Sequence, residues 1–176
     1  MDPRIERTRT KIKNALLAQL AMSPLSDVTV TSVCDTANVN RSTFYVYYDN
    51  VTDCFNEIAD EVIEEMGQAL HAEKNCSVEM YLRIYIRTAL KHRVVFKTVH
   101  SMDISNPMIE KLAVLLSEST HIDASFPQND KNLAMSFLFS GFYGLVAAWL
   151  LNGCKVTEDE IVQILKDSIN SAYSNF

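Results

Sequence analysis

The sequence predicts an all-α fold of about nine helices, an N-terminal helix-turn-helix three-helix domain followed by a helical C-terminal domain. Three observations predict it. Apolar residues recur at helical spacing along most of the chain. Only four Gly and four Pro are spread over 176 residues of 48% apolar content, too few breakers for a turn-rich β architecture. Ala37-Asn38-Val39-Asn40 reads as a tight turn between two short helices.

The first helix is expected over Arg4–Met22, with Ile5, Ile12, Ala15, Leu16 and Leu20 on one stripe. Ser23-Pro24 ends it, because proline disfavours helix in the residue before it. Thr29 is an N-cap for a helix over Val30–Ala37 that turns Val30 and Val33 inward. Asn38 suits a left-handed position. Asn40 can cap the third helix, and Val39 with Phe44 has the spacing of a hydrophobic staple. Asp49-Asn50 breaks that helix, and Asn50 can cap a fourth over Val51–Leu70, with Phe55, Ile58, Val62 and Met66 on one face.

After a polar loop at 71–77, helices are expected at 78–91, 93–101, 106–119, 129–152 and 158–173. Asn106-Pro107 is a helix start, and Gly153 follows the apolar helix as a C-cap. Thr157 and Glu160 have the spacing of a capping box. Residues 1–50 form the helix-turn-helix domain, helix 51–70 connects, and 71–176 form a regulatory and dimerisation domain.

The formal net charge is −6. Residues 1–50 hold six Lys/Arg against five acids, which leaves +1 there and −7 over 51–176. The cations cluster in the first thirteen positions, so contact with a polyanion belongs to the N-terminal part. Cys34, Cys54, Cys76 and Cys154 lie far apart, and no Cys/His spacing suits a metal. The charged opening Met-Asp-Pro-Arg is no signal peptide, and a cytoplasmic location is expected. Between Lys131 and Lys155 no charge occurs, a length that can span a bilayer. Asn132, Ser136, Ser140 and Asn152 interrupt it, and the strongly apolar part runs only from Phe137 to Leu151. It reads as a helix buried in a protein interface. His71, His92, His100 and His121 lack ligand spacing, and there is no phosphate loop or nucleophile motif, so neither enzyme activity nor a cofactor is expected.

The chemistry sits on the third helix. In a helix-turn-helix its first turn, here Arg41, Ser42 and Thr43, points into the DNA major groove. Arginine can take guanine O6 and N7 together, and Val46 can meet a thymine methyl. Tyr45 and Tyr47 can donate hydroxyls to phosphates. Phe44 and Tyr48 fall on the opposite face and are expected in the core.

The stretch Thr29-Val30-Thr31-Ser32-Val33-Cys34, continued by Ala37-Asn38-Val39-Asn40-Arg41-Ser42-Thr43-Phe44-Tyr45-Val46-Tyr47-Tyr48-Asp49-Asn50, resembles the DNA-binding domain of the TetR/AcrR family of transcription regulators. The Thr-Phe-Tyr core at 43–45 is its most specific part, and the resemblance covers residues 4–60. It implies a homodimer on a palindromic double-stranded operator, and a divergent C-terminal domain for ligand binding and dimerisation. By position it makes Thr29, Thr31, Arg41, Ser42, Thr43, Tyr45, Val46 and Tyr47 the DNA-facing residues. The family usually has a phosphate-contacting Lys where this chain has Val51. The pattern from Ser140 to Lys155, with Thr157–Glu160, is similar to regulators of dihydroxyacetone kinase operons, some of which are activators with a partner protein.

Gly141, Gly144 and Ala148 leave a low ridge that, with Trp149 and helix 158–173, suits a dimeric four-helix bundle. Tyr81, Tyr85, Thr88, Phe96 and Val99 can line a ligand cavity, a spacing that ordinary core shares. The reading is a dimeric repressor modulated by a small molecule; the alternative is a co-regulator or activator acting through a partner protein, with weak DNA affinity of its own. A membrane partner is not expected.

Overall fold

The computed structural model describes residues 3–73, 76–102, 107–119 and 131–174. All regular elements among them are helical. The chain divides into two compact units, residues 1–61 and 62–176.

The first unit begins with α1, Pro3–Leu20. Ile12, Ala15, Leu16 and Leu20 are buried on its inner face. Ile5 lies on the expected stripe but outside the core, 39% exposed. A short 3₁₀ turn at Leu25–Asp27 follows Pro24. Helix α2, Val30–Ala37, and helix α3, Arg41–Tyr45, follow. Helix α4, Val51–His71, gives its first eleven residues to this unit and the rest to the second. The core of the first unit gathers Ile12, Leu16, Val33, Phe44, Phe55 and Ile58, each at most 4% exposed.

The second unit holds α5 (Val78–Lys91), α6 (Arg93–Ser101), α7 (Pro107–Ser119), α8 (Lys131–Leu151) and α9 (Glu158–Ser174). The expected starts at Asn106 and residue 129 lie outside the described residues. Tyr81, Leu82, Tyr85, Ile86, Phe96, Leu112, Val146, Leu150 and Leu165 are buried in its core. Gly153, at φ +78°, follows the last turn of α8. At α9 the Thr157 amide donates to Glu160 Oε2 at 2.7 Å, and the Glu160 amide donates back to Thr157 Oγ1 at 3.3 Å. That reciprocal cap satisfies amides that a helix start leaves unpaired. Ion pairs tie α5 to α9: Lys166 to Glu79 at 2.5 Å, Arg83 to Asp159 at 2.6 Å and Arg87 to Glu158 at 2.7 Å. Among the described residues no helix is long and apolar enough to cross a membrane.

Candidate nucleic-acid interface

Local hydrogen bonds set the orientation of α2 and α3. The Ser32 amide donates to Thr29 Oγ1 at 3.1 Å, and the Thr29 amide donates to Ser32 Oγ at 3.2 Å. Thr29 thus caps α2 through its oxygen while its hydroxyl proton remains for an outside acceptor. Gln19 joins α1 to α2: Ser32 Oγ donates to its Oε1 at 2.7 Å, and its Nε2 donates to Thr36 Oγ1 at 2.8 Å. Asn38 takes the left-handed conformation, φ 52° and ψ 52°, and its amide reaches back to Asp35 O. A β-branched residue there would be strained.

That turn delivers α3. Phe44 is fully enclosed and Tyr48 is 3% exposed; their rings lie 5.6 Å apart, tilted. With these two positions, one helical turn apart, committed to the core, the rest of the helix faces out. Arg41 and Ser42 are exposed, Tyr45 is 49% and Val46 74% exposed, and Thr43 and Tyr47 are half-buried. Thr29 and Thr31 are exposed at the start of α2. All eight positions expected to face DNA therefore have accessible surface within the first unit. The Tyr45 side chain beside the Arg41 guanidinium holds it above its ordinary value. The Tyr45 phenol has a proton to give a phosphate.

One expectation is corrected, and the place of Val51 is settled. Asn40 occupies the N-cap position of α3 but makes no side-chain capping bond. Val51 does not face outward: it is 7% exposed, closed into the core at the first turn of α4. That turn is capped by Asn50, whose Oδ1 accepts from the Asp53 amide at 2.8 Å. A short β-branched side chain fits that core, and a valine has no charge to offer a phosphate.

An ion network absent from the sequence reading joins α1 to α4. Arg9 and Lys13 both hydrogen-bond Glu57, the latter at 3.2 Å, and Lys13 also pairs with Glu61. Burial disfavours the Glu57 carboxylate, but the hydrogen bonds from Arg9 and Lys13 outweigh it and hold the carboxyl below its usual range. The signal was present as two i, i+4 pairs, cationic on α1 and acidic on α4, which place each pair on one helix face. Burial pushes the neighbouring Cys54 thiol up to about 12, so it is no nucleophile.

Comparison with known proteins decides what this architecture is. Residues 90–171 match the TetR family model described as a transcriptional regulator C-terminal region. The chain is similar to the solved structure of NalD, the secondary repressor of the MexAB-OprM multidrug efflux pump in Pseudomonas aeruginosa. That match has a TM-score of 0.73 and 18% identity and covers 95% of both chains. The chain has the fold of TetR-family transcription regulators. A second TetR-fold neighbour is the dihydroxyacetone kinase operon activator DhaS, at TM-score 0.64 and 12% identity over 96% of this chain and 97% of that one. A 65-residue stretch is 28% identical to the HTH-type transcriptional regulator YxbF of Bacillus subtilis; it spans 37% of this chain and only 17% of that protein.

The TetR-type second unit brings three of the five expected ligand-lining residues, Tyr81, Tyr85 and Phe96, into ring contact. Tyr81, Tyr85, Thr88, Phe96 and Val99 are all buried, none more than 6% exposed. Tyr81 stacks on Tyr85 at 6.2 Å, and Phe96 and Phe142 meet Tyr85 edge-on at 5.6 and 6.4 Å. The Tyr81 hydroxyl donates to Leu112 O at 3.4 Å. The Tyr85 and Tyr143 hydroxyls are buried without a hydrogen-bond partner among the described residues. Burial raises both phenols, well above the ordinary value for Tyr85, so they remain protonated donors.

On α8, Gly141 and Ala148 are exposed and Gly144 is half-buried. Among the described residues, a Cβ added at Gly141 or Gly144 meets nothing within 4 Å. Trp149 departs from the expected ridge. It is 8% exposed, buried in its own chain, and its indole N–H donates to Val156 O at 3.0 Å. Among the described residues no cluster of three or more His, Cys, Asp or Glu could hold a metal.

Proposed function

We propose that this protein is a cytoplasmic, DNA-binding transcription regulator that works as a homodimer. One Arg41–Tyr45 helix per protomer enters each of two successive major grooves of a palindromic operator. The observation that carries this reading is the outward face of α3: Arg41, Ser42, Tyr45 and Val46 are exposed on a helix whose other face is locked by Phe44 and Tyr48. Two tyrosines and a valine left accessible around an arginine suit a nucleic-acid partner better than bulk water.

In this proposal the protein is a repressor. A small molecule binds among Tyr81, Tyr85, Thr88, Phe96 and Val99 and favours a conformation whose two recognition helices no longer match the groove spacing. The dimer forms through the Gly141, Gly144 and Ala148 face of α8. Similarity to NalD, named a repressor, supports this sign.

A second reading, an activator or co-regulator that works through a partner protein, has its own support. Arg9 and Lys13 are engaged by Glu57 and Glu61, and Val51 is enclosed, which lowers the charge offered to DNA. The similar protein DhaS is named an activator.

A gel-shift of the purified protein on the DNA upstream of its own gene tests the DNA reading, and a reporter on the bound promoter tests the sign. Repression predicts a specific shift and raised reporter expression on deleting the gene. No shift with the pure protein, together with lowered expression on deletion, favours the second reading.

A further inference from the structure

Phosphate neutralisation supplies most of the non-specific affinity of a DNA-binding protein. The first unit has few cations to give to it. Arg9 and Lys13 are held by carboxylates of α4, Val51 is buried, and Arg41 sits on the base-reading face of α3. Lys11 differs from these, as Arg7 does: both are exposed, and no ion pair among the described residues involves either.

Lys11 also lines a cleft of about 680 Å³ that opens beside the recognition helix. From α1 the cleft receives Thr8 and Lys11, from the end of α2 and the turn it receives Asp35, Asn38 and Asn40, and from α3 it receives Thr43. Five of these six side chains carry hydrogen-bond donors, and one of the five is a cation. The wall is strongly polar, unlike the mostly apolar lining of a small-molecule pocket. The donors span α1 and α3, so a group held here is fixed relative to the base-reading residues. Thr43 is common to the cleft wall and the expected DNA-facing set.

We propose that this cleft seats one backbone phosphate of the bound DNA in each protomer, with the Lys11 ammonium as its counter-charge and the Thr8 and Thr43 hydroxyls and the Asn38 and Asn40 amides as neutral donors. The proposal rests on the DNA-binding reading above. Asp35 is the one anionic group in the wall, and its carboxylate repels the phosphate. It limits affinity for DNA as such, so a larger share of binding depends on base contacts from α3.

The test is fluorescence anisotropy of a labelled duplex from upstream of the gene, with affinity measured from about 50 to 200 mM salt. Each phosphate neutralised adds about 0.9 to the slope of log affinity against log salt. Lys11→Gln in a dimer should flatten the slope by about 1.8, so the variant loses about tenfold less affinity than wild type over that range. Lys11→Arg should keep the wild-type slope, and Asp35→Asn should bind more tightly on all sequences. Lys97→Gln, exposed in the second unit, serves as a control and should leave the slope unchanged. Inorganic phosphate at millimolar concentration should not displace the duplex, since a lone ion lacks the groove contacts. If wild type binds and Lys11→Gln keeps its slope, the phosphate seat is overturned and the DNA reading stands. If wild type binds no duplex, the DNA reading itself fails. Lys11 is exposed, so the variant should keep its fold, with an unchanged circular dichroism spectrum as the check.

Discussion

Lys13 on α1 and Glu57 on α4 are joined by a hydrogen bond of 3.2 Å across 44 residues of sequence. Arg9 and Glu61 extend the contact into a four-residue network. It fastens the helix that opens the first unit to the helix that closes it, and it determines which N-terminal cations remain for another partner.

The network makes stability pH-dependent with a definite sign. The Glu57 carboxyl is held below its usual range, so the folded state favours its charged form. Its contribution is present above the unfolded value of about 4.3 and is lost as pH falls through the lower folded value. Glu57→Gln should cost about 1–2 kcal/mol at neutral pH. In urea titrations followed by circular dichroism, the gap to wild type should close as pH falls below about 4. A gap unchanged at low pH would show that the carboxylate charge is not what stabilises.

Arg41 and Tyr45 should separate in what they do to DNA binding. Arg41→Ala should flatten the preference at one base pair of each half-site, at a cost of about 1–3 kcal/mol. Tyr45→Phe should weaken binding by a similar factor on every sequence, because a phosphate contact positions without specifying. Anisotropy on a panel of single-base operator variants distinguishes the two. A uniform loss for Arg41→Ala would reassign it to the backbone.

Much of the first unit was legible because its signals are local. The α2 span follows from Thr29 as cap and Asn38 as the left-handed stop. The exposure of Arg41, Ser42, Tyr45 and Val46 follows once Phe44 and Tyr48 are assigned inward. The departures come from positions where periodicity alone does not settle burial. Ile5 sits two turns before Ile12, the first residue of α1 that is fully enclosed, so it shares the stripe but not the core. Val51 looked like a missing lysine from the family pattern, yet a valine at that turn is short enough to be taken into the core. The fate of Trp149 depends on Val156 O, an acceptor beyond the turn that ends α8, and no helical pattern encodes it.

Burial of Val51 also fixes the outcome of changing it. Val51→Lys places an ammonium where the side chain is 7% exposed. The lysine must strain outward or stay desolvated, at a cost of about 1–3 kcal/mol. Urea unfolding should show that loss, and the salt slope of DNA binding should not steepen. A stable variant with a steeper slope would restore residue 51 as a phosphate contact.

Gly144 offers a clean test of the dimer, because a Cβ there meets nothing within 4 Å among the described residues of its own protomer. Gly144→Arg should keep its helical circular dichroism, since arginine is favoured over glycine in a helix by up to about 1 kcal/mol. Sedimentation should then show a monomer where wild type is a dimer. A folded dimer after the change would place the interface elsewhere.

Tyr85 carries a hydroxyl that the fold leaves without a partner among the described residues. An unsatisfied buried donor costs about 1–3 kcal/mol, so Tyr85→Phe should leave the melting temperature unchanged or raise it. The same change should weaken any effector that accepts a hydrogen bond there. A clear loss of stability would mean that a trapped water satisfies the phenol.

The chain has a single tryptophan. Trp149 is buried in the second unit and bonded to Val156 O in the same unit. Its emission is therefore a native optical reporter of that half, silent about the half that carries α2 and α3. Circular dichroism sums both. Whether the two denaturation curves superimpose or separate measures how far the halves melt as one cooperative block, without adding a label to either.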